Sequence, residues 1–374
     1  MPICVQELHR LGLNYPVLIG GAAINRNFGR RAALLDEQTV YAPGVYYCKD
    51  AFEGLDTMNL LVDPLEGPKL AEKVKLEALE FRTRSAELEQ RSAASSAQQR
   101  DFKVTVSREH SIPAPPFWGA RTTTTREVPF AEMYAGMDLK TLYRLHWGAR
   151  GSGEAYDKLL RDDFEPRRLQ LQKDAEAKGW LRPQAVYGYF PCQSDGQDLV
   201  ILDPGAFAPG SLTLRGKSEE VARFTFPRQT EREGLCLSDY FLPSDSGKVD
   251  VVAFQVVTVG HNADELCAAL NARGEYADAL FIHGLAVSSA EGLAEWHHRR
   301  IRAELGIDPE RGKRYSFGYS ACPDLADQAR IFKLLAPETA IGVTLTSAYQ
   351  LVPEASTSAI VVHHPQAAYY LVKE

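Results

Sequence analysis

A short stretch near the C-terminus carries the residue types best suited to hold a small charged molecule. Arg314 is followed by Gly318 and Tyr319, and Cys322 and Pro323 come next. A guanidinium can bind a carboxylate through two parallel hydrogen bonds. Glycine allows close backbone approach or a positive φ. Proline suits the first position of a helix, whose N-terminus would favour an anion. The residues alone leave open an ordinary turn with an exposed arginine.

Bulk composition excludes several other classes of protein. The chain has 374 residues, of which 45% are hydrophobic, and a formal net charge of -7. The length suggests about two domains, and the negative charge disfavours broad nucleic-acid binding. No run approaches the roughly 20 apolar residues that would span a membrane. The six cysteines include no CxxC pair, which is typical of reduced cytoplasmic thiols. We therefore expect a cytoplasmic protein with no nucleic-acid or membrane partner.

The first 65 residues alternate helical and strand-like patterns. Short strands are predicted at Pro16–Ile19 and Val45–Cys48, and helices at Val5–Leu11, Ala22–Leu35 and Phe52–Leu61. Such alternation is typical of a parallel α/β sheet. About 65 residues are too few for a complete sheet of this kind. We therefore expect residues 1–65 to be the C-terminal part of a Rossmann-like domain whose first strands are missing.

The rest of the chain divides by composition into a linker and a larger domain. Residues 66–100 predict a charged helix, and residues 101–130, with several prolines and Phe117-Trp118, predict an extended linker. Residues 131–374 mix helices and strands irregularly, which predicts an α+β domain with a twisted, mainly antiparallel sheet. The helices are predicted at 138–147, 153–181, 217–222, 262–273, 288–305 and 323–336, and the strands at 185–190, 199–202, 223–226, 249–259, 358–362 and 369–372.

An ordered series of motifs gives these residues a family context. Arg314-x-x-x-Gly318-Tyr319, followed by Ala-Cys-Pro, resembles the signature by which the activation domain of cobalamin-dependent methionine synthases binds S-adenosylmethionine. Val17–Ala22 is similar to the Gly-Gly element of that family's cobalamin-binding domain. The family's Asp-x-His-x-x-Gly motif, which ligates cobalt, is not in this chain. Further segments follow the family's order, at 185–191, 224–229, 235–240, 277–280, 290–295, 353–356 and 364–370.

The resemblance implies a set of ligand-binding residues. Arg314 would hold the methionyl carboxylate, Asp138 and Glu291 would lie near the amino group, and the C-terminal tyrosines would line the adenosyl side. Because Tyr369 and Tyr370 would alternate on a strand, one is expected to face the core. The implied S-adenosylmethionine pocket comprises Asp138, Glu291, Arg314, Gly318, Tyr319, Tyr369 and Tyr370. Cobalamin contacts are implied at Gly20, Gly21 and Ala51, with most of that cofactor held by residues outside this chain.

The resemblance also implies an activity. The chain would be the reactivation module of a methyltransferase in methionine biosynthesis, incomplete without its homocysteine and folate domains. Flavodoxin or an equivalent reductase would reduce cob(II)alamin, and S-adenosylmethionine would supply the methyl group of methylcobalamin. Such a module must orient the methyl group and needs no catalytic base. Two alternatives are a non-catalytic module that senses S-adenosylmethionine, and a reactivation partner of another corrinoid methyltransferase.

Several of these residues also have simpler interpretations. Ser288–Glu291 has the pattern of a capping box, with Glu291 in the first turn of a helix. The basic run Arg299–Arg302 is typical of a solvated helix end, or could receive an acidic flavodoxin. The pairs His297-His298 and His363-His364 are candidate metal ligands by residue type. Because adjacent side chains diverge on helices and strands alike, neither pair should chelate one ion, and no metal is expected.

Overall fold

The computed structural model describes the chain except residues 1, 21–23, 37–38, 96–105, 209, 216–217, 231–233 and 373–374, and it leaves the side chains of 85–95 undescribed. The chain divides into two compact units, Met1–Asp101 and Phe102–Glu374. All six cysteines are free thiols, as their spacing predicts. No helix among the described residues is long and apolar enough to cross a membrane.

The first unit alternates helices and strands as predicted. The two strands pair in parallel, with Val17 opposite Val45, and Val5, Tyr41 and Ala33 lie in the core. Its elements are α1 (Pro2–Arg10), β1 (Val17–Ile19), α2 (Arg26–Ala32), β2 (Val45–Tyr47), α3 (Ala51–Val62) and α4 (Glu66–Ser95).

The predicted charged helix is α4, and it belongs to the core of the first unit. Ala78 is fully buried among residues of α1, α2 and the strands. Arg30 of α2 forms a 2.9 Å ion pair with Glu77 of α4. The helix therefore packs along one face, although its composition is mostly charged.

The second unit is an α+β domain, as expected. Its strands are β3 (Gly119–Thr123), β4 (Gln184–Asp195), β5 (Asp198–Leu202), β6 (Glu220–Thr225), β7 (Asp250–Thr258), β8 (Lys313–Ser316), β9 (Thr344–Leu345), β10 (Leu351–Val352) and β11 (Ser356–Val362). Its α-helices are α5 (Phe130–Ala135), α6 (Leu139–Thr141), α7 (Glu154–Leu159), α8 (Glu165–Lys178), α9 (Asn262–Ala272), α10 (Tyr276–Glu304), α11 (Gln328–Leu335) and α12 (Pro337–Ile341). Stretches of π-helix, Leu142–His146 and Leu160–Phe164, extend α6 and join α7 to α8.

The main sheet has seven strands and is antiparallel throughout. The order is β6-β5-β4-β7-β11-β8, and β3 also pairs with β4. Strand β4 is long enough for its first half to pair with β3 and its last residues with β5. Strands β3 and β8 fall where the sequence predicted a linker and a loop. The predicted helix 217–222 is wrong, because its described residues from Glu220 onward form β6, which pairs with β5.

The two faces of the sheet are covered by different helices. On β7, Val252 and Phe254 pack in the cluster that contains Ile331 of α11. Val251 and Ala253 point to the opposite face, in the cluster that contains Ile301 of α10. Strand β7 is buried along its whole length, as expected of a central strand covered on both faces. The edge strand β8 lies beside β11, at the end of the sheet that carries the signature arginine.

Candidate functional site

Arg314 lies on β8, opposite Val361 of β11, and its guanidinium reaches the surface of α10. Its Nη2 lies 3.1 Å from Oε2 of Glu291. The Arg314 side chain is 13% exposed and that of Glu291 is 53% exposed. The Nε–H of Arg314 is buried without a hydrogen-bond partner. A largely buried guanidinium with an unused donor is suited to bind a further anionic group.

The turn after β8 reverses the chain tightly. The Gly318 amide donates to the carbonyl of Cys322, and the Cys322 amide donates to the carbonyl of Tyr319, each at 2.9 Å. Gly318 has a φ of 90°, which is one of the two roles that the sequence left open for this glycine. This turn leaves Tyr319 52% exposed, near Arg314 and Glu291. Partial burial and the Glu291 carboxylate raise the pKa of its hydroxyl.

Gly318→Ala should destabilise the second unit by about 1–3 kcal/mol, because an L-residue is strained at this φ. A Cβ at this position would also lie 3.0 Å from Cδ2 of Leu325. Urea unfolding followed by tryptophan fluorescence measures the loss. Gly247→Ala is the matched control, since Gly247 has a φ of 64° but nothing within 4 Å of its Cβ position. Equal losses in the two variants would refute a role for the Leu325 contact.

Two details of the sequence interpretation are wrong. Pro323 does not begin a helix: Asp324 is the N-cap, and its carboxylate accepts from the Ala326 amide ahead of a short 3-10 turn. Glu291 does not cap a helix either, because α10 begins fifteen residues earlier, at Tyr276. Glu291 therefore projects from the middle of a long helix, and its observed partner is Arg314.

The C-terminal segment lies against the same turn, but it does not form the predicted strand. Tyr369 is 68% exposed, and its ring centroid is 5.5 Å from that of Tyr315 on β8. Tyr370 packs against the core, and its buried hydroxyl has no hydrogen-bond partner. One tyrosine thus faces inward, as expected, although the segment is not the strand on which that expectation rested. The Ser320 hydroxyl donates to the Tyr370 carbonyl at 3.3 Å.

Tyr315 was not singled out from the sequence, although it fixes this segment. It is 4% exposed, and its hydroxyl donates to the Ala368 carbonyl at 2.7 Å. The Ala368 amide in turn donates to the Tyr240 hydroxyl at 3.3 Å. Its position between Arg314 and Gly318, as the one aromatic residue of Lys313–Ser316, was the available signal. These bonds set the backbone that carries Tyr369 and Tyr370.

Asp138 approaches this region only through its neighbours. It is the N-cap of α6, and its carboxylate accepts from the backbone amides of Lys140 and Thr141 and from the Thr141 hydroxyl. These bonds, led by the Thr141 hydroxyl, lower the pKa of Asp138. The preceding Met137 packs against Gly292, which follows Glu291 in α10. The exposed carboxylate is occupied within its own turn.

The residues implied to contact cobalamin lie in the first unit. A Cβ on Gly20 would lie 2.7 Å from the carbonyl oxygen of Cys48, so the close packing of two strand ends already requires glycine there. Gly21 lies outside the described residues. Ala51 is the exposed first residue of α3, directly after the N-cap Asp50. These contacts remain predictions.

The adjacent histidines have separate surroundings, as their geometry predicts. His297 lies 3.2 Å from both Thr123 and Gln255, whereas His298 lies 3.1 Å from Arg302. The basic run at the end of α10 is therefore partly internal: Arg302 faces His298, and Arg300 donates to Glu304 at 2.9 Å.

Comparison with known proteins places this arrangement in a family. A family model described as the activation domain of vitamin B12 dependent methionine synthase matches residues 132–374, more than half of the chain. The chain belongs to this family. The match includes α10, β8, the turn and the C-terminal segment, and therefore every residue of the candidate pocket.

Relatives of this activation domain are longer proteins. The methionine synthase of Mycobacterium tuberculosis is 36% identical over 98% of this chain, and that of Mycobacterium leprae is 35% identical over 98%. The chain spans about a third of the length of both relatives (33%). The crystal structure of the MetH reactivation domain bound to AdoHcy is also similar, with a TM-score of 0.61 and 25% identity, covering 73% of this chain and 87% of that one.

Proposed function

We propose that the second unit binds S-adenosylmethionine and serves as the reactivation module of a cobalamin-dependent methionine synthase. The observation that carries this proposal is the largely buried Arg314, whose guanidinium meets Glu291 and keeps an unused Nε–H. The similar reactivation domain was solved with AdoHcy, which has the same amino-acid moiety as S-adenosylmethionine. A carboxylate-binding arginine beside a carboxylate is the arrangement that this zwitterionic moiety requires.

The proposed pocket would exchange one ion pair for two on binding. In the structure Nη2 of Arg314 donates to the Glu291 carboxylate. An incoming carboxylate would take this place, and Glu291, which is half exposed, would be released toward the ligand's ammonium group. Asp138 is the second acidic residue that we propose near this ammonium group. Tyr319 and Tyr369 are exposed enough to cover the adenosyl part, since aromatic faces bind flat rings well.

The wider activity belongs to the longer protein. When cobalamin is bound, its reduced cobalt supplies the nucleophile that takes the methyl group, and the remaining ligand leaves as S-adenosylhomocysteine. The second unit would hold the sulfonium so that its methyl group faces the cofactor, and would exclude water from it. No proton needs to move, so the pocket residues bind rather than catalyse. We further propose a cytoplasmic location and flavodoxin or an equivalent reductase as electron donor.

Titration of the chain with S-adenosylmethionine tests the binding step. We expect saturable binding of one ligand per chain by calorimetry, and no binding at millimolar ligand would refute the proposal. The reactivation step needs a cobalamin-loaded domain, a reductant and methyl-labelled S-adenosylmethionine. Label that reaches the cofactor only when the chain is present supports reactivation. Normal binding without label transfer would instead identify a sensing module.

Glu291→Gln should weaken S-adenosylmethionine binding about tenfold, because a charge-assisted hydrogen bond to the ammonium group is worth about 1.5–3 kcal/mol. The half-exposed pair with Arg314 contributes at most about 1 kcal/mol, so its loss should not compensate. Calorimetry measures the change, and Glu265→Gln on the exposed side of α9 is the matched control. Tighter binding by Glu291→Gln would mean that this carboxylate only competes for Arg314.

A further inference from the structure

Three side chains that are far apart in sequence meet where β7 begins and β11 ends. His110, Asp250 and His363 each offer one ligand atom, and these atoms lie within 4.8 Å of one another. Asp250 is 0% and His363 2% exposed, while His110 is half-buried. Among the described residues this is the one group of three histidine, cysteine or acidic side chains close enough to share a metal ion. The proposed binding pocket does not use it.

Hydrogen bonds fix the direction of two of the three side chains. Arg311 lies 3.3 Å from Nδ1 of His363, and since arginine can only donate, this nitrogen is an acceptor. The Nε2–H of His363 therefore points to Oδ1 of Asp250, at 2.6 Å. The backbone amides of Val251 and Leu242 also donate to the Asp250 carboxylate, at 2.7 and 2.9 Å. One ring nitrogen and one carboxylate oxygen thus face each other across a hydrogen bond.

The third side chain lacks a partner. Both ring nitrogens of His110 are buried and have no hydrogen-bond partner, an arrangement that costs free energy unless something else binds them. The neighbouring His364 is no competitor for an ion. Its Nε2 donates to the Ser107 carbonyl at 2.8 Å, and its Nδ1 accepts from the Gln366 amide at 3.0 Å.

We propose that His110, Asp250 and His363 bind one Zn²⁺ ion. Two imidazole nitrogens and a carboxylate oxygen form a common zinc ligand set, with water in the fourth position. Zinc would bind the lone pair of Nε2, so the proton now between His363 and Asp250 would move to Nδ1 of the same ring, and Nη2 of Arg311 would turn away from that nitrogen. Loss of the Arg311 hydrogen bond to Nδ1 and the nearby positive charge of Arg311 would both lower the affinity. A site of moderate rather than very high affinity follows.

The ion would link two segments of the second unit. Residues 107–111 already lie against the C-terminal segment, because the Ser107 amide donates to Gln366 at 2.7 Å. Arg311 connects the two segments further, since it donates to the carbonyls of Ser111 and His363, each at 2.7 Å. His363 lies six residues before Tyr369. Zinc would therefore hold in place the segment that leads into the proposed pocket, independently of whether a ligand is bound there.

Calorimetric titration of the chelator-treated full chain with zinc chloride tests this site. We expect one ion per chain, and His110→Ala should lower the affinity about tenfold or more, as losses of metal-site residues typically do. His110→Ala should fold, since it removes no hydrogen bond. His9→Ala, on the exposed surface of α1, is the control for adventitious binding and should leave affinity unchanged. Unaltered affinity in His110→Ala, or less than one ion per chain, would overturn the proposal.

X-ray absorption of the zinc-loaded wild-type chain provides a test that needs no variant. The expected spectrum shows nitrogen and oxygen ligands with the outer scattering of two imidazoles. A shell without imidazole scattering would overturn the assignment even if zinc binds. Both measurements are independent of S-adenosylmethionine, so their failure would leave the proposed function untouched.

Discussion

Arg314→Ala should weaken binding of S-adenosylhomocysteine by about 100-fold or more, because two charge-assisted hydrogen bonds of about 1.5–3 kcal/mol each are lost and about 1.4 kcal/mol is a factor of ten. S-adenosylhomocysteine is the appropriate probe because it carries the same carboxylate and is chemically stable. Isothermal titration calorimetry measures the change. The variant should remain folded, since the partner left behind, Glu291, is 53% exposed and can be solvated.

The control for this result separates a lost contact from a lost fold. Arg273→Ala removes an exposed arginine that pairs with its neighbour Glu275 on the surface beyond α9, and it should bind the ligand normally. Arg314→Lys keeps the charge but not the planar fork, so its affinity should fall between those of wild type and alanine. Wild-type affinity in Arg314→Ala would show that the ligand carboxylate lies elsewhere.

Local patterns predicted most elements of the second unit, but not its edges. The central strands β4, β7 and β11 are long apolar runs and were all predicted. Strand β3 was missed because Gly119–Thr123 is polar and mostly exposed, and it becomes a strand only by pairing with β4. Strand β8 lies within the binding motif, whose arginine and tyrosine suggested a loop. Residues 220–222 include helix-forming residue types. They form a strand only because β6 pairs with β5 in the sheet.

The site residues, too, were predicted only in part. The sequence left close backbone approach or a positive φ open at Gly318, and the structure shows the positive φ. The Glu291–Arg314 pair joins residues 23 positions apart through the packing of α10 against the sheet. The capping interpretation failed because Ser288 lies within a helix whose start, at Tyr276, carries no capping residue of the usual kind. The ligand-binding roles and the three-part division at residues 65 and 130 remain predictions.

Adjacent histidines cannot easily share an ion, but histidines far apart in the sequence can meet in the folded chain. His363 meets Asp250 across 113 positions, and His110 joins them from the segment before β3. No spacing rule connects such residues, because antiparallel pairing of β7 with β11 brings the two strand ends together. The sequence could therefore exclude a local chelate but could not reveal a site made by the sheet.

The second unit should lose stability steeply in mild acid. Burial lowers the pKa of His297 to about 3 and that of His364 to about 4, whereas both titrate near 6.5 in an unfolded chain. Below pH 6.5 the unfolded chain therefore binds protons that the folded chain does not. The stability contributed by each neutral histidine is complete above pH 6.5. It is lost at about 1.4 kcal/mol per pH unit as the pH falls toward the folded pKa.

Urea unfolding between about pH 7.5 and 4.5 measures this loss, and all four tryptophans lie in the second unit, so their fluorescence reports on it. His297→Gln should be less stable at neutral pH, because its contacts with Thr123 and Gln255 change. Its decline below pH 6.5 should be shallower by about 1.4 kcal/mol per pH unit. His261→Gln, at an exposed histidine, should keep the wild-type slope. An unchanged slope in His297→Gln would mean that carboxylates, and not this buried imidazole, cause the acid sensitivity.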